Sequence, residues 1–397
     1  MRLLSTYAPL PKWKHLVRAL FPMGKKTIEK PWYFENELSG RLSRSAWSLA
    51  LIALWRKKST FKSEVTIWIP SFFCNASLAP LRAVGVNFIF YPVSEAMEPD
   101  SEECTILAVN SPPDIFLLVH YFGRPNRYNF AVKFAHDSGA WLVEDAAHAL
   151  IPVDNIGKLG DFILYSPHKH LPIPDGAILV IRPTGPSQLT IGPGSIFDNP
   201  LTWPGQLKEV QRRMVDYAKI NQFMSLMWIT KRGLQKMGIR SQGSKALFAE
   251  SLEGNSNNIP STIEPPAQSL LGMRLLAMLS SEIDKIALVR IRNHEIWADF
   301  FSSRSELNNK IFNSDRGPKE KWTPYLAAYR GDSIAITKAY YFFQKHGIPV
   351  LTWPDLPPEV KSNKNSNSMA WKLRHTYIYL PIHQSFNFSK LLLLNIN

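Results

Sequence analysis

Cysteine is nearly absent: Cys74 and Cys104 are the two in 397 residues. Two cannot build a disulfide framework, which points to a reducing compartment. They are also too few for a cysteine-based metal site, and the ten histidines contain no His-x-x-x-His spacing, so no metal centre is expected. Long apolar runs are missing as well. The longest, Ala46 to Trp55, is about half the ~20 residues a bilayer-spanning helix needs. The basic residues Lys12, Lys14 and Arg18 near the start precede neither a continuous apolar core nor a small-residue cleavage site. No secretory signal is therefore expected, and the protein reads as cytoplasmic. Acidic residues are scarce: 32 Asp and Glu stand against 46 Lys and Arg, a formal net charge of +14. The basic residues are spread along the chain and form no recognisable nucleic-acid motif, so nucleic acid is not an expected partner. The charge suits anionic partners, such as a nucleotide-linked substrate or a membrane surface.

A hydrophobic fraction of 45% with 20% charged residues excludes wholesale disorder, and the length suits a large domain plus a smaller one. Ser43-Arg44-Ser45 precedes the apolar stretch 46–55, which predicts a serine-capped helix, buried on nearly every side. Short apolar runs follow at Val65–Ile69, Val86–Tyr91, Thr105–Val109, Ile115–His120, Trp141–Val143, Phe162–Tyr165 and Ala177–Ile181. Nearly unbroken and rich in β-branched or aromatic residues, they predict strands buried on both faces. Helical stretches at Ala76–Val84 and Phe130–Ser138, the latter closed by Gly139, alternate with them. That alternation is the mark of an open α/β sheet, whose ligands sit beyond the carboxyl ends of the strands. Further along, helices are predicted over Leu207–Gln222, Phe223–Met237, Leu271–Phe301 and Ser333–His346, with a polar linker from Glu253 to Thr262. The expected organisation is an irregular arm at 1–40, a large α/β domain at 41–200, a helical insertion and linker at 201–265, and a long helix with a small C-terminal α+β domain at 266–397.

Two stretches carry chemistry. In Trp141-Leu-Val-Glu-Asp145-Ala-Ala-His148 an apolar strand runs into Asp145. Alone, such an acid is an ordinary solvated strand end; facing a cofactor such as pyridoxal phosphate (PLP), it would keep the pyridine nitrogen protonated. In Phe162-Ile-Leu-Tyr-Ser166-Pro-His168-Lys169-His170 a second strand ends in a lysine between two histidines. Neighbouring positive charge and partial burial would lower its pKa toward the neutral amine that imine chemistry requires. Asp145 and Lys169 are 24 positions apart with a short connection between their strands, so one ligand could meet both.

These segments resemble the DegT/DnrJ/StrS family of PLP-dependent sugar aminotransferases, of fold type I: a mostly parallel central sheet with flanking helices and a small C-terminal α+β domain. The likeness rests on Val143-Glu-Asp-Ala-Ala-His-Ala, Gly160-Asp-Phe-Ile-Leu-Tyr-Ser, Ile69-Pro-Ser-Phe-Phe-Cys-Asn, Val119-His-Tyr-Phe-Gly-Arg-Pro125, Lys345-His-Gly-Ile and Leu380-Pro-Ile-His383. It implies pyridoxal 5'-phosphate held covalently by Lys169, with Asp145 on the pyridine nitrogen and His148 on the ring's phenolic oxygen. Ser45, Ala46 and Ser166 would bind the phosphate, and Phe73 would stack on the ring. It also implies a keto-sugar nucleotide and an amino-acid donor as substrates, and a homodimer. Ser166-Pro-His-Lys169 is more compact than the family's pattern, Pro174-Asp-Gly-Ala177 replaces its Gly-Glu-Gly-Gly, and no segment matches its Asn-Tyr-Arg. Another PLP reaction and a non-catalytic relative that kept the fold remain as alternatives.

Overall fold

Six of the seven apolar runs that follow residue 64 become strands of one seven-stranded sheet. A computed structural model describes residues 6–21, 31–34, 37–153, 155–182, 222–238, 247, 267–303, 311–313 and 322–393. In chain order, its first half contains α1 (Trp13–Ala19), β1 (Leu38–Leu42), α2 (Ser45–Thr60), β2 (Thr66–Pro70), α3 (Ala79–Ala83), β3 (Asn87–Tyr91) and α4 (Ser101–Asn110). Next come β4 (Ile115–Val119), α5 (Tyr128–Ser138), β5 (Trp141–Ala146), β6 (Phe162–Tyr165), α6 (Pro167–His170) and β7 (Ala177–Ile181). The strand order is β1-β7-β6-β5-β4-β2-β3. Strands β3, β2, β4, β5 and β6 run parallel, while β7 and β1 close one edge antiparallel. Every residue of β4 and β7 is buried, as expected of a sheet covered on both faces. Helix α5 ends where Gly139 adopts φ +65°, satisfying the last carbonyls in a left-handed cap.

The second half holds α7 (Gln222–Lys236), α8 (Leu270–Leu279), α9 (Ile283–Ser302), β8 (Ile311–Asn313), β9 (Ala327–Gly331), α10 (Ser333–Lys345), α11 (Pro358–Ser362), α12 (Ser368–Thr376) and β10 (Tyr377–Leu380). Strands β10, β9 and β8 form an antiparallel sheet. Trp297, Phe301, Tyr329 and Phe343 build its separate core, and Trp297 Nε1 donates to the Pro381 carbonyl at 3.0 Å.

Four expectations change. Thr105–Val109 is helical, within α4: Asp100 accepts from the Glu103 N–H and Glu102 and Glu103 fill the first turn, so a capping signal outweighs a short apolar run. Only Cys104 of that helix is buried. The single helix over 271–301 is two, α8 and α9, joined by a 3₁₀ turn at Ser280–Glu282. The irregular arm carries α1 and the edge strand β1. Ser45 is not a cap but the first residue of α2; Arg44 precedes it without a side-chain cap. The helix expected over 207–222 lies, but for its last residue, outside the described residues, as does the linker at 253–262.

A buried polar cluster fixes the β5–β6 connection. Glu144 accepts from the N–H groups of Gly157, Leu159 and Gly160 at 2.6–2.7 Å, and from His120 Nε2 at 3.0 Å. Burial pushes the Glu144 carboxyl up, but His120 and these amides outweigh it and hold it below its ordinary value. Asp161 accepts from the Leu142 N–H at 2.7 Å. Glu144 spends its acceptor capacity on His120 and backbone amides, and Asp161 accepts from backbone, which leaves Asp145 as the acid of the motif that lines the cleft.

Candidate active site

The parallel strands β2, β4, β5 and β6 end on one side of the sheet, and their carboxyl ends surround a cleft of about 540 Å³, its open mouth included. Its walls include Ser45, Ala46, Phe73, Asp145, His148 and Lys169. Six of the seven residues singled out from sequence thus converge; the seventh, Ser166, is fully buried and its hydroxyl meets that of Ser45 at 2.9 Å.

Asp145 sits at the end of β5 and accepts from the Ala147 N–H at 3.0 Å. Burial raises its pKa above the usual carboxylate value; Lys169 pulls the other way without prevailing. Lys169, on the single turn of α6, carries an amine with no hydrogen-bond partner among the described residues. Burial lowers its pKa, opposed chiefly by the Asp145 carboxylate. The two flanking histidines do not act as the sequence suggested. His168 donates from Nδ1 to the Gly176 carbonyl at 2.8 Å, and burial pushes its pKa down to about 3. His170 is fully buried and held well below its ordinary value by burial and Arg290. Both are neutral, so desolvation, with Arg44 as the nearby cation, depresses the lysine.

His148 is clamped. Its ring lies parallel to Tyr325 (centroids 4.6 Å, 13°) and to Phe122 (5.8 Å, 13°). The Phe122 N–H donates to its Nδ1 at 3.2 Å, so Nδ1 is an acceptor and Nε2 carries the proton. Burial keeps the ring neutral. Tyr325 is held in turn: its N–H donates to the Phe122 carbonyl at 2.8 Å, and its carbonyl and that of Pro324 accept from the buried guanidinium of Arg290 on α9. Gly123, at φ +85°, passes so close that a Cβ would stand 2.7 Å from the carbonyl oxygens of both His148 and Thr323. Replacing Gly123 with alanine should cost about 2–4 kcal/mol, combining left-handed strain with a backbone clash. Urea unfolding measures it; a loss below about 0.5 kcal/mol would show that the two loops yield freely.

The opposite end of the cleft is built for an anion. Helix α2 runs 16 residues, has no acid in its first turn and no capping side chain, so its leading N–H groups keep their partial positive charge. The Ser45 and Ser166 hydroxyls stand at that end. Phe73 lines the wall, beside Cys74 and Ser77. Trp353, which stacks on Phe72 at 4.2 Å, also lines it and was not foreseen, nor were Tyr325 and Arg290. All three come from the C-terminal half, where no local pattern marks them.

These residues fit pyridoxal phosphate. An acid raised by burial calls for a cation, which a protonated pyridine nitrogen supplies; an amine without a partner faces the same space; hydroxyls and helix amides wait for a phosphate.

Residues 45–183 match the DegT/DnrJ/EryC1/StrS aminotransferase family. No curated protein matches the sequence. Among solved structures, PseC of Helicobacter pylori, an aminotransferase involved in the biosynthesis of pseudoaminic acid, superposes with a TM-score of 0.65 at 13% identity, covering 98% of this chain and 96% of that one. The putative sugar aminotransferase Spr1654 of Streptococcus pneumoniae, in its PMP form, gives 0.63 at 15% identity, covering 97% and 96%. DesI, determined in the presence of its TDP-sugar product, gives 0.58 at 14%, covering 89% and 77%. At these identities the likeness establishes the fold.

Proposed function

From the match of residues 45–183 to the DegT/DnrJ/EryC1/StrS aminotransferase family, we propose that the chain is a PLP-dependent aminotransferase, moving an amino group from an amino acid to a keto-sugar nucleotide. One observation carries this reading: a lysine amine without a hydrogen-bond partner among the described residues and a carboxylate raised by burial line the same cleft. The nucleotide-sugar substrate is taken from DesI, described with a TDP-sugar product. Product use in polysaccharide or glycoconjugate synthesis, a cytoplasmic setting and a homodimer complete the proposal.

Bound pyridoxal phosphate supplies an aldehyde that condenses with amines and an electron-withdrawing ring that stabilises negative charge on the adjacent carbon. Asp145 holds the proton on the pyridine nitrogen, since a carboxylate buried here is stabilised by a cation against it. His148, neutral and protonated on Nε2, donates to the ring hydroxyl oxygen, and its stack between Phe122 and Tyr325 fixes the direction of that donor. The first N–H groups of α2, with the Ser45 and Ser166 hydroxyls, hold the phosphate, and Phe73 packs on the ring face. Lys169 would anchor the cofactor through its amine. Its Nζ, whose pKa burial lowers, would be the group placed to take a proton from the donor's Cα and to return it as an acid. Burial of this amine, acid and imidazole in one water-poor cleft strengthens each of these interactions.

The test is spectroscopic. Purified protein given PLP should take up visible absorbance, and glutamate should then bleach it to the near-ultraviolet band of the pyridoxamine form. Absorbance that no amino acid alters would remove the transaminase reading, and a protein that stays colourless with added PLP would support a binding or scaffolding role.

A further inference from the structure

Lysine and arginine are spread along the chain, but the acids are not. Residues 1–28 contain six Lys and Arg and no Asp or Glu, and residues 217–249 repeat that count. These two stretches hold twelve of the surplus of fourteen positive charges. Neither lines the cleft of Asp145 and Lys169.

The folded chain packs the described parts of the two stretches together. Helix α7 lies against α1: Lys236 Nζ donates to the Pro11 carbonyl at 2.7 Å and stands 5.2 Å from the Trp13 ring centroid. A Cβ on Gly233 would be 3.6 Å from that ring. On α1 and the turn after it, Trp13, Val17, Leu20 and Phe21 are each more than half exposed. On α7 and the residue after it, Leu226, Met227 and Met237 are too. Lys14, Arg18 and Lys231 are exposed among them. Glu282 engages Lys12 at 2.9 Å, but no acid pairs with Lys14, Arg18 or Lys231 among the described residues.

Bulky apolar side chains left in water beside unpaired cations mark an interaction face. The charge selects the occupant. A two-fold contact would place this patch against its own copy, cation against cation, with only Glu282, already engaged by Lys12, to relieve it among the described residues. A nucleic acid would satisfy the cations but not Leu20, Phe21, Leu226 and Met227. A bilayer rich in anionic lipid satisfies both: the aromatic and aliphatic groups enter the headgroup–acyl boundary while the lysines and arginines meet phosphates. We propose that α1 and α7 form a docking face for anionic membrane surfaces, holding the enzyme at a bilayer without spanning it. No helix among the described residues is long and apolar enough to cross one.

The full-length protein should co-sediment with vesicles of equal parts phosphatidylcholine and phosphatidylglycerol, not with phosphatidylcholine alone, and salt should release it. Each cation near such a surface is worth roughly five-fold in binding, so the triple variant Lys14→Glu, Arg18→Glu, Lys231→Glu, which removes three cations and adds three anions, should bind at least roughly a hundred-fold more weakly. A second variant, Leu20→Ser, Phe21→Ser, Met227→Ser, should also release the protein while leaving the spectral response to glutamate intact. Hydrogen-exchange protection on vesicles should map to residues 12–21 and 226–237. Failure to bind anionic vesicles, equal binding to neutral ones, or retention by the charge-reversed variant would overturn the proposal. So would a drop in oligomeric mass in either variant, which would make this face a subunit contact.

Discussion

Replacing Lys169 with alanine should lower transamination by roughly four orders of magnitude, the upper range for loss of a positioned acid–base group. Two contributions disappear together. The proposed covalent anchor is lost, and so is the amine proposed to move the proton. Since Lys169 Nζ bonds to nothing else among the described residues and only the α6 backbone is held, through its N–H to the Ser166 carbonyl at 2.9 Å, the variant should fold normally. Its circular dichroism and melting should match the parent, and it should still bind PLP through Asp145 and the α2 amides, without the lysine-linked visible band. Small alkylamines should restore part of the rate, because the vacated space still faces Asp145. Activity within about ten-fold of the parent would assign the proton transfer elsewhere.

Much of this was legible beforehand, for a physical reason. Strands buried on both faces must be apolar over most of their length, so β2 and β4 to β7 announce themselves, while the edge strand β3 buries only Tyr91; the rule that ligands sit at strand carboxyl ends then selects Asp145 and Lys169. What failed were cases in which a neighbour decides the outcome. Thr105–Val109 looks like a strand until Asp100 is seen to cap it. Ser45 looks like a cap until its hydroxyl is found on Ser166. His168 and His170 look like positive neighbours of Lys169, yet a carbonyl contact and complete burial make them neutral. Tyr325, Trp353 and Arg290 carry no local signal at all. Tyr325 and Trp353 reach the site through contacts more than a hundred residues apart in sequence, and Arg290 acts through Tyr325, 35 residues on; single-sequence periodicity is blind to such distances.

Changing Asp145 to asparagine should move stability and activity in opposite directions. Asparagine keeps the shape and can still accept from the Ala147 N–H, but it cannot carry the charge. Without cofactor that charge is a burden: burial raises the folded pKa of Asp145 above its ordinary value, so between the two pKa values the folded chain binds more protons than the unfolded one. Stability therefore falls as pH rises through that window, and at neutral pH the cofactor-free protein loses what the carboxylate costs. The asparagine variant escapes this and should melt higher than the parent, with a flatter dependence on pH above the acid range. Once PLP is bound the sign reverses, because the carboxylate has its cation and the amide cannot keep the pyridine nitrogen protonated. Transamination should drop by about 10²–10³-fold, the scale of losing one preorganised electrostatic partner. Lys169 also loses the carboxylate that opposes its desolvation, so its amine should titrate at lower pH than in the parent. Calorimetry of the cofactor-free forms and steady-state rates of the loaded ones measure the two arms. A variant that melts lower without cofactor, or that keeps the parental rate with it, would mean that Asp145 is an ordinary strand-end acid.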